Sequence, residues 1–563
     1  MLLALILIIA AACLLAAGSW RVYSNTWDEP EHLAAGVELL DRGRYEYDTE
    51  HPPLGRVLLA LGPWLAGAHS FATPPPEGTL EGVDILYSGG HYWRYLTLAR
   101  LGTLPFLALL MLVTWLWARR LFETPWATLL PVVLLASVPP VLGHGALASL
   151  DVAAAATILL ALYTLQRWIN SARLLDAALF GLAAGVAVVT KFSAVPFIGL
   201  SLIAVSFVAL MLRHAPGRSS GTAAPDADVF RGSANLRVWV AGFALAALMT
   251  LVPVFLVYGP RAANPAGVAW RFNWAVSYLL QRPGLDHALG ALLSHLPLPR
   301  ELTDLVNGVV AVEAHNDSGH RSYLLGEVRL TGWWYFYLVA LAVKTPIPFL
   351  AAGVPGIACL AARGWRRAEP WALAPLTMTL AILVFACAFS RINIGIRHIL
   401  ILYPFMALGA AWLLHRAWRS VSALHPGPIR LAGAAALMAL LAWQLSSLWR
   451  AYPDYLPYFN EAVAHPAHVL VDSDLDWGQD LYRLEQRAQQ LRMPFLNIAY
   501  RGTADLAHEP LPPYRDLPPR QPAHGWVAIS QLARTRDPDD YSWLAPYRPV
   551  EQIGKSIDLY YIP

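Results

Sequence analysis

The chain has 563 residues, of which 56% are hydrophobic and only 14% charged, and its formal net charge is +3. Because soluble domains carry about 25% charged residues, this composition excludes an ordinary soluble protein and predicts a membrane protein. The small net charge argues against a nucleic-acid partner, and three cysteines within apolar runs exclude a disulfide framework.

Apolar runs long enough to cross about 30 Å of hydrocarbon predict about eleven transmembrane helices. They lie near residues 2–19, 100–118, 124–143, 151–167, 175–190, 193–212, 238–258, 346–362, 371–390, 398–415 and 430–449. The first run ends in Ala16-Ala17-Gly18, which is also typical of a signal-peptide cleavage site. Since no Lys or Arg precedes its apolar part, a retained helix is favoured over a cleaved signal.

Arginines in alternate short loops set the orientation, because loops rich in Lys and Arg stay in the cytoplasm. This rule places the N-terminus inside, and residues 20–99, 259–340 and the tail 450–563 on the outer side. Residues 214–236 have a low-complexity composition and are predicted to form a flexible cytoplasmic loop. The chain therefore divides into a membrane domain, residues 1–449, and an extracytoplasmic tail domain.

The first outer loop opens with the acidic segment Thr26-Trp27-Asp28-Glu29-Pro30-Glu31-His32. The spacing of Leu33, Val37 and Leu40 predicts an amphipathic helix directly after it, along the membrane surface. Asp28 then has two interpretations. It caps this helix, in a capping box with Glu31, or it is a catalytic carboxylate, and the two roles are compatible.

The motif His51-Pro52-Pro53 follows about 22 residues after the Asp-Glu pair and precedes a second apolar helix, Leu54 to Leu65. The prolines restrict the backbone, so the motif either stops a loop between two surface helices or shapes a pocket. Its position in the same loop as Asp28 favours the pocket.

Other charged residues lie at the outer ends of predicted spans. Asp151 begins the fourth span, where a carboxylate is costly unless it faces a polar partner; it either caps the helix or supports the same site. Cations at outer ends oppose the positive-inside trend, and they are Lys191, Lys344, Arg391 and Arg397. The two arginines either clamp a lipid-linked phosphate, which their planar donors match, or extend to lipid headgroups.

The tail predicts a small α/β domain. Strands are predicted at His468–Val471, Phe495–Tyr500, Trp526–Ile529 and Ile557–Ile562, with a helix at Asp480–Leu491. An acid-rich loop, residues 472–480, is expected to follow the first strand, where open α/β sheets bind ligands. It lacks the Gly and Glu of a calcium-binding EF-hand loop.

Taken together, these motifs resemble those of the bacterial branch of the protein O-mannosyltransferase family, glycosyltransferase family 39, among the GT-C membrane glycosyltransferases. The aminoarabinose transferases of lipid A have a similar first loop. The matching residues are Trp27-Asp28-Glu29-x-x-His32, Gly43-x-Tyr45, His51-Pro52-Pro53-Leu54-Gly55-Arg56, Leu150-Asp151, Gly332-Trp333-Trp334-Tyr335-Phe336 and Lys344-Thr345-Pro346. Arg56 stands where the mannosyltransferases commonly have Lys. The likeness covers residues 20–420 and weakens over the tail.

The resemblance implies a GT-C fold and transfer of a sugar from a polyprenyl-phosphate donor to a protein, lipid or glycan acceptor. It implies Asp28 as general base, with Glu29 and Asp151 beside it. His32, His51 and Arg56, together with the four outer-end cations, are then candidates for binding substrate. A bacterial inner-membrane location with the site on the periplasmic side is expected.

Direct displacement at a sugar phosphate needs a base and cations but no acid on the leaving group. It would invert the anomeric centre, whereas a covalent intermediate would retain it. No cofactor is required by this chemistry, and a divalent cation stays an open alternative. The competing hypothesis is a transporter or flippase for a lipid-linked sugar, although such proteins bind substrate near the bilayer midplane.

Overall fold

The computed structural model describes residues 1–75, 77–214, 236–259, 265–296 and 298–563, without side-chain positions at 213–214 and 265–272. The predicted cytoplasmic loop, residues 214–236, lies outside the described residues apart from its two ends. The predicted outer segment 259–340 is described in part.

Most of the described chain is helical, because long apolar runs satisfy their backbone hydrogen bonds within helices. From the N-terminus to the first gap the helices are α1 (Leu2–Gly18), α2 (Glu29–Arg42), α3 (Pro53–Leu65), α4 (Gly78–Tyr87), α5 (Tyr92–Leu101), α6 (Leu104–Leu121), α7 (Leu130–Ala136), α8 (Pro139–Gly145), α9 (Asp151–Ser171), α10 (Leu174–Val188) and α11 (Ala194–His214).

The second half of the membrane domain continues with α12 (Leu236–Tyr258), α13 (Pro265–Leu280), α14 (Leu285–Ser294), α15 (Arg300–Ser318), α16 (Phe336–Lys344), α17 (Ile347–Arg367), α18 (Pro370–Phe389), α19 (Leu402–Ser422) and α20 (Pro428–Ala451). A short antiparallel hairpin, β1 (Ser322–Leu324) with β2 (Glu327–Arg329), precedes α16.

Eight helices within the described ranges are long and apolar enough to cross a membrane. A ninth is added if α7 and α8, which meet at a 70° bend, count as one span. The predicted span 175–190 forms as the shorter apolar helix α10, and 398–415 forms as α19, which is not among the eight. The polytopic helical architecture is confirmed, and the predicted number of eleven stays a prediction.

The two predicted surface helices of the first outer loop are both formed, as α2 and α3. They cross closely, since a Cβ added at Gly36 of α2 would lie 2.3 Å from the carbonyl oxygen of Arg56 on α3. Only glycine permits this approach. Their contact fixes the acidic segment relative to the His-Pro-Pro motif.

The tail contains the predicted small sheet. Its elements are α21 (Leu481–Gln490), β3 (Leu496–Ala499), β4 (Tyr514–Asp516), β5 (Gly525–Ser530), α22 (Gln531–Arg536), β6 (Glu551–Ile553) and β7 (Ile557–Ile562). The strand order is β4-β3-β5-β7-β6, with β3 parallel to β4 and β5, and β7 antiparallel to both its neighbours.

The strand predicted at His468–Val471 is wrong, because this segment forms a 3-10 turn at Pro466–His468 followed by irregular backbone. Its apolar side chains are buried all the same. Leu470 packs into the core of the membrane domain and Val471 beside Tyr323 of the hairpin. The acid-rich loop therefore follows an anchor on the membrane domain instead of a strand of the sheet.

The tail and the first outer loop lie against each other. Ser24 donates its backbone N–H to the carbonyl of Gln479 at 2.9 Å, and Asn25 donates through its amide to Thr503 Oγ1 at 3.0 Å. The other predicted outer segment, 259–340, also contacts the tail, because its Arg321 lies 2.5 Å from Asp537. These three segments occupy one end of the helical bundle, as expected for segments on one side of a membrane.

Candidate active site

Four charged side chains meet where the first loop, the start of α9 and the segment before α19 come together. Arg397 donates from Nη1 to the Asp28 carboxylate at 2.5 Å, and the same nitrogen lies 3.6 Å from Asp151. Lys191 completes the group by donating from Nζ to Asp151 at 2.6 Å. Two carboxylates and two cations thus form one connected cluster at the end of the bundle where the tail lies.

The helices explain why these residues converge. Asp28 directly precedes α2, Asp151 is the first residue of α9, and Lys191 lies between α10 and α11. Arg397 belongs to a single 3-10 turn, Ile396–Ile399, that leads into α19. Ends of helices expose unpaired backbone groups, so charged side chains gather there with little cost to the apolar faces.

The exposure of the cluster is graded. The side chains of Asp151 and Arg397 are 1% and 8% exposed, whereas that of Asp28 is 25% exposed. Asp28 is therefore the carboxylate that a molecule entering from outside reaches first. Nε of Arg397 has no hydrogen-bond partner among the described residues, so the guanidinium keeps a donor for a further acceptor.

Neither Asp28 nor Asp151 caps its helix through a side-chain hydrogen bond. Asp28 occupies the N-cap of α2 but its side chain accepts no capping hydrogen bond. The N-cap of α9 is Leu150, and Asp151 directs its carboxylate to Lys191. Both side chains are thus available to the charged cluster.

Glu29 points away from Asp28 and is buried in a pair with Arg100 of α5. Its oxygens accept from Arg100 Nε and Nη2, both at 2.8 Å, and from the backbone N–H of Thr26 and Ala148. Burial alone would raise the pKa of Glu29, but Arg100 and these amides outweigh it, so this pKa lies below its usual value. Both oxygens are fully occupied, which suits holding the loop in place.

The predicted residues His32, His51 and Arg56 come together in a second cluster, which centres on Asp48. Arg56 is fully buried and donates to the Asp48 carboxylate, to the Tyr45 hydroxyl at 3.0 Å and to His32 Nδ1 at 3.1 Å. His51 Nδ1 lies 2.9 Å from Asp48. Burial, and then Arg56, lower the pKa of His32 well below its usual value. This second cluster joins the His-Pro-Pro motif to the helix that follows Asp28.

The remaining predicted cations lie apart from Asp28. Lys344 is fully buried, and Nζ donates to the carbonyls of Leu456 at 2.9 Å and Asp474 at 2.5 Å, both in the tail. Arg391 is exposed and reaches the carbonyl of Asp317 at 3.4 Å. The two arginines that the sequence suggested as one phosphate clamp thus have different partners here, and the clamp stays a prediction.

The tail contributes a site residue that sequence reasoning missed. The Cζ atom of Arg397 lies 4.4 Å from the centre of the Trp477 ring, and Trp477 is 3% exposed. Its loop was predicted to face a ligand because it follows a predicted strand, and the aromatic residue between its aspartates was the available signal.

A metal site does not emerge from the same side chains. Within the described ranges, no group of three or more His, Cys, Asp or Glu residues is arranged to hold an ion. The acids of the candidate site are paired with Arg397 and Lys191 instead.

Comparison with known proteins supplies the family. Residues 5–267 match the family model described as dolichyl-phosphate-mannose-protein mannosyltransferase. This match, over a little under half of the chain, is to a family of GT-C membrane glycosyltransferases. This confirms the resemblance drawn from the motifs and identifies the protein as an enzyme. No curated protein matches the chain.

Three solved structures match the chain at low identity. ArnT from Cupriavidus metallidurans, bound to undecaprenyl phosphate, is 15% identical, with 98% of this chain and 97% of that one covered and a TM-score of 0.47. The oligosaccharyltransferase of Archaeoglobus fulgidus is 15% identical over 78% and 52%, with a TM-score of 0.45. EmbB, an arabinosyltransferase of Mycobacterium smegmatis, is 16% identical over 79% and 41%, at 0.27. All three scores lie below 0.5, so the family assignment rests on residues 5–267.

Proposed function

We propose that this glycosyltransferase takes a sugar from a polyprenyl-phosphate donor and passes it to a hydroxyl of a protein, lipid or glycan acceptor, with inversion. The observation that carries the proposal is the ion pair of Arg397 with Asp28 and its approach to Asp151. It places a partly exposed carboxylate beside a buried cation that has a spare donor. We place the reaction on the periplasmic side of a bacterial inner membrane, where the first loop and the tail domain lie together.

The cluster supplies what a single displacement needs. The acceptor oxygen forms a bond to the anomeric carbon while the bond from that carbon to the phosphate oxygen breaks, and the electron pair leaves with the phosphate. Asp28 takes the acceptor's proton as general base. Arg397, with its planar set of donors, stabilises the charge that grows on the leaving phosphate. The polyprenyl phosphate departs as an anion and needs no acid.

The resting ion pair adds an order to these events. Because Arg397 already holds Asp28 at 2.5 Å, a donor phosphate must compete with that carboxylate for the guanidinium. Once the phosphate has taken Arg397, Asp28 loses its strongest partner and accepts the proton of the incoming hydroxyl. Asp151 stays in place, since Lys191 holds it at 2.6 Å. Donor binding thus frees the base.

The other motif residues build the frame. The Glu29–Arg100 pair fixes the start of α2 to α5, and the Asp48–Arg56–His32 group fixes α3 to α2. Buried charge pairs of this kind hold one arrangement strongly, because breaking either leaves an uncompensated charge. We assign Glu29, His32, His51 and Arg56 to positioning Asp28, and Lys191 to positioning Asp151.

Transfer by the purified protein tests the proposal. The assay combines a radiolabelled polyprenyl-phosphate sugar with a pool of acceptors, and compares wild type with Asp28→Asn. Loss of a general base costs about a hundredfold or more in rate. The matched control is Asp84→Asn, an exposed aspartate of α4 in the same loop, which should transfer normally. Near-normal transfer by Asp28→Asn would refute the role of Asp28, and a parallel reaction with EDTA shows whether a divalent cation takes part.

A further inference from the structure

The acid-rich loop of the tail, residues 472–480, lies directly on the segment that carries Arg397. Ser473 donates from Oγ to the carbonyl of Ile394 at 2.5 Å, and the Asp474 carboxylate accepts the backbone N–H of Ile396 at 3.1 Å. Lys344 also binds the loop, because its Nζ donates to the carbonyl of Asp474. These bonds join the tail to the backbone that directly precedes Arg397, the residue that pairs with Asp28.

The approach between the two segments is close. A Cβ at Gly395 would lie 2.3 Å from Ser473 Oγ, so a side chain there would force this hydroxyl off its contact with the Arg397 segment. Asp472, where the loop begins, adopts φ +55°, a left-handed conformation that a non-glycine residue holds only when its surroundings require it. The loop is therefore tightly seated against the Arg397 segment.

Trp477 projects from this loop to the face of the Arg397 guanidinium, at 4.4 Å from ring centre to Cζ. Its own backbone is fixed to the first loop, since Trp27 donates its N–H to the carbonyl of Trp477 at 3.0 Å. A ring face attracts a cation without accepting its in-plane N–H groups. The tryptophan thus restrains Arg397 while leaving its donors for Asp28 and for a phosphate.

Resting on the proposed function, we propose that Trp477 of the tail domain is a positioning residue for Arg397. It holds the guanidinium in the orientation that binds the donor phosphate. The loop 472–480 is the part of the tail that places Trp477 against Arg397. The active site is then built from both ends of the chain. The tail domain contributes to donor binding whatever acceptor is used.

Three variants test this in the full-length protein: Trp477→Leu removes the ring face, Trp477→Phe retains one, and Gly395→Ala displaces the Ser473 hydroxyl with Trp477 intact. A cation–π contact of this kind corresponds to a change of roughly fivefold to tenfold in affinity. We expect Trp477→Leu and Gly395→Ala to raise the donor KM and weaken binding of polyprenyl phosphate by about that factor. Trp477→Phe should recover most of the loss.

The control is Trp543→Leu, which alters a tryptophan packed in the apolar cluster of the tail's own sheet. It should lower the melting temperature but leave the donor KM as in wild type. A Trp477→Leu protein that melts early yet keeps its donor KM and its affinity for polyprenyl phosphate would overturn the role of Trp477 but not the proposed function. Wild-type protein that neither binds polyprenyl phosphate nor transfers its sugar would overturn the proposed function as well.

Discussion

Arg397 donates a hydrogen bond to Asp28 at 2.5 Å across 369 positions of sequence. The pair connects the first outer loop with the 3-10 turn before α19. Before substrate arrives, it keeps the proposed base, Asp28, bound to Arg397, the residue proposed to bind the donor phosphate. Two opposite effects of one substitution follow, on turnover and on donor binding.

Asp28→Asn should bind polyprenyl phosphate more tightly than wild type, by several-fold, although it transfers no sugar at a useful rate. The amide no longer competes with the phosphate for Arg397, while it cannot accept the proton. Titration of each protein with polyprenyl phosphate in nanodiscs measures the affinity, with Asp84→Asn as the control. Weaker binding by Asp28→Asn would show that the carboxylate does not compete with the donor.

Arg397→Ala and Arg391→Ala should differ sharply. Arg397 is buried between two carboxylates, whereas Arg391 is exposed and 3.4 Å from a carbonyl. Removing Arg397 leaves Asp28 without its cation and Asp151 with Lys191 alone, and it takes away the group proposed to bind the donor phosphate, so donor KM should rise at least about tenfold. Arg391→Ala should stay within about twofold of wild type, as exposed ionic contacts contribute little. Initial rates against donor concentration distinguish the two variants. Equal effects would indicate that both arginines bind the donor phosphate.

Glu29→Gln should act on stability. Arg100 would lose its buried partner, which costs about 3–5 kcal/mol when one member of such a pair is removed. Thermal unfolding in detergent should show a clearly lower melting temperature. The acidic limb of the pH–rate profile should stay where it is in wild type, because Asp28 remains the base. A shifted limb with unchanged melting would assign Glu29 to proton transfer.

The stability of the first loop should depend on pH through Glu31. Burial, and then Asp48, raise its pKa from 4.5 to about 7; Arg56 opposes them, and Asp28 and Glu50 add to the rise. The folded state then binds this proton more tightly than the unfolded chain, so stability is full below about pH 4.5 and is lost as the pH rises through 7.

Glu31→Gln removes that penalty, which is up to about 3 kcal/mol for a shift of this size. The variant should therefore melt above wild type at pH 8, and the difference should shrink towards pH 5. Melting curves at the two pH values provide the measurement, with Asp84→Asn again as control. A difference that grows on acidification would contradict the protonated state of Glu31.

Much of this arrangement could be predicted from the sequence, since composition and span length determine a polytopic helical protein. The helices α2 and α3 formed where apolar spacing predicted them, and Asp28, Asp151 and Arg397 were each conspicuous as charges near apolar runs. Their mutual pairing could not be predicted, because it depends on how three distant segments pack. Local pattern contains no such information.

Glu29 shows a different limit. Its adjacency to Asp28 suggested a shared site, yet successive residues of a helix point about 100° apart. One side chain faces the cluster and the next faces Arg100. The false strand at residues 468–471 has a similar cause, since a short apolar run is buried equally well by a sheet or by a neighbouring domain. Here the neighbouring domain buries it.

The seating of Trp477 on Arg397 also has a consequence for biogenesis. The ribosome makes Asp28 and Arg397 before Trp477, so the guanidinium lacks its aromatic support until the tail has been made and has folded against it. A partly inserted polypeptide would handle the lipid donor poorly. Under the proposed function, sugar transfer would therefore begin only after the tail has folded onto the Arg397 segment.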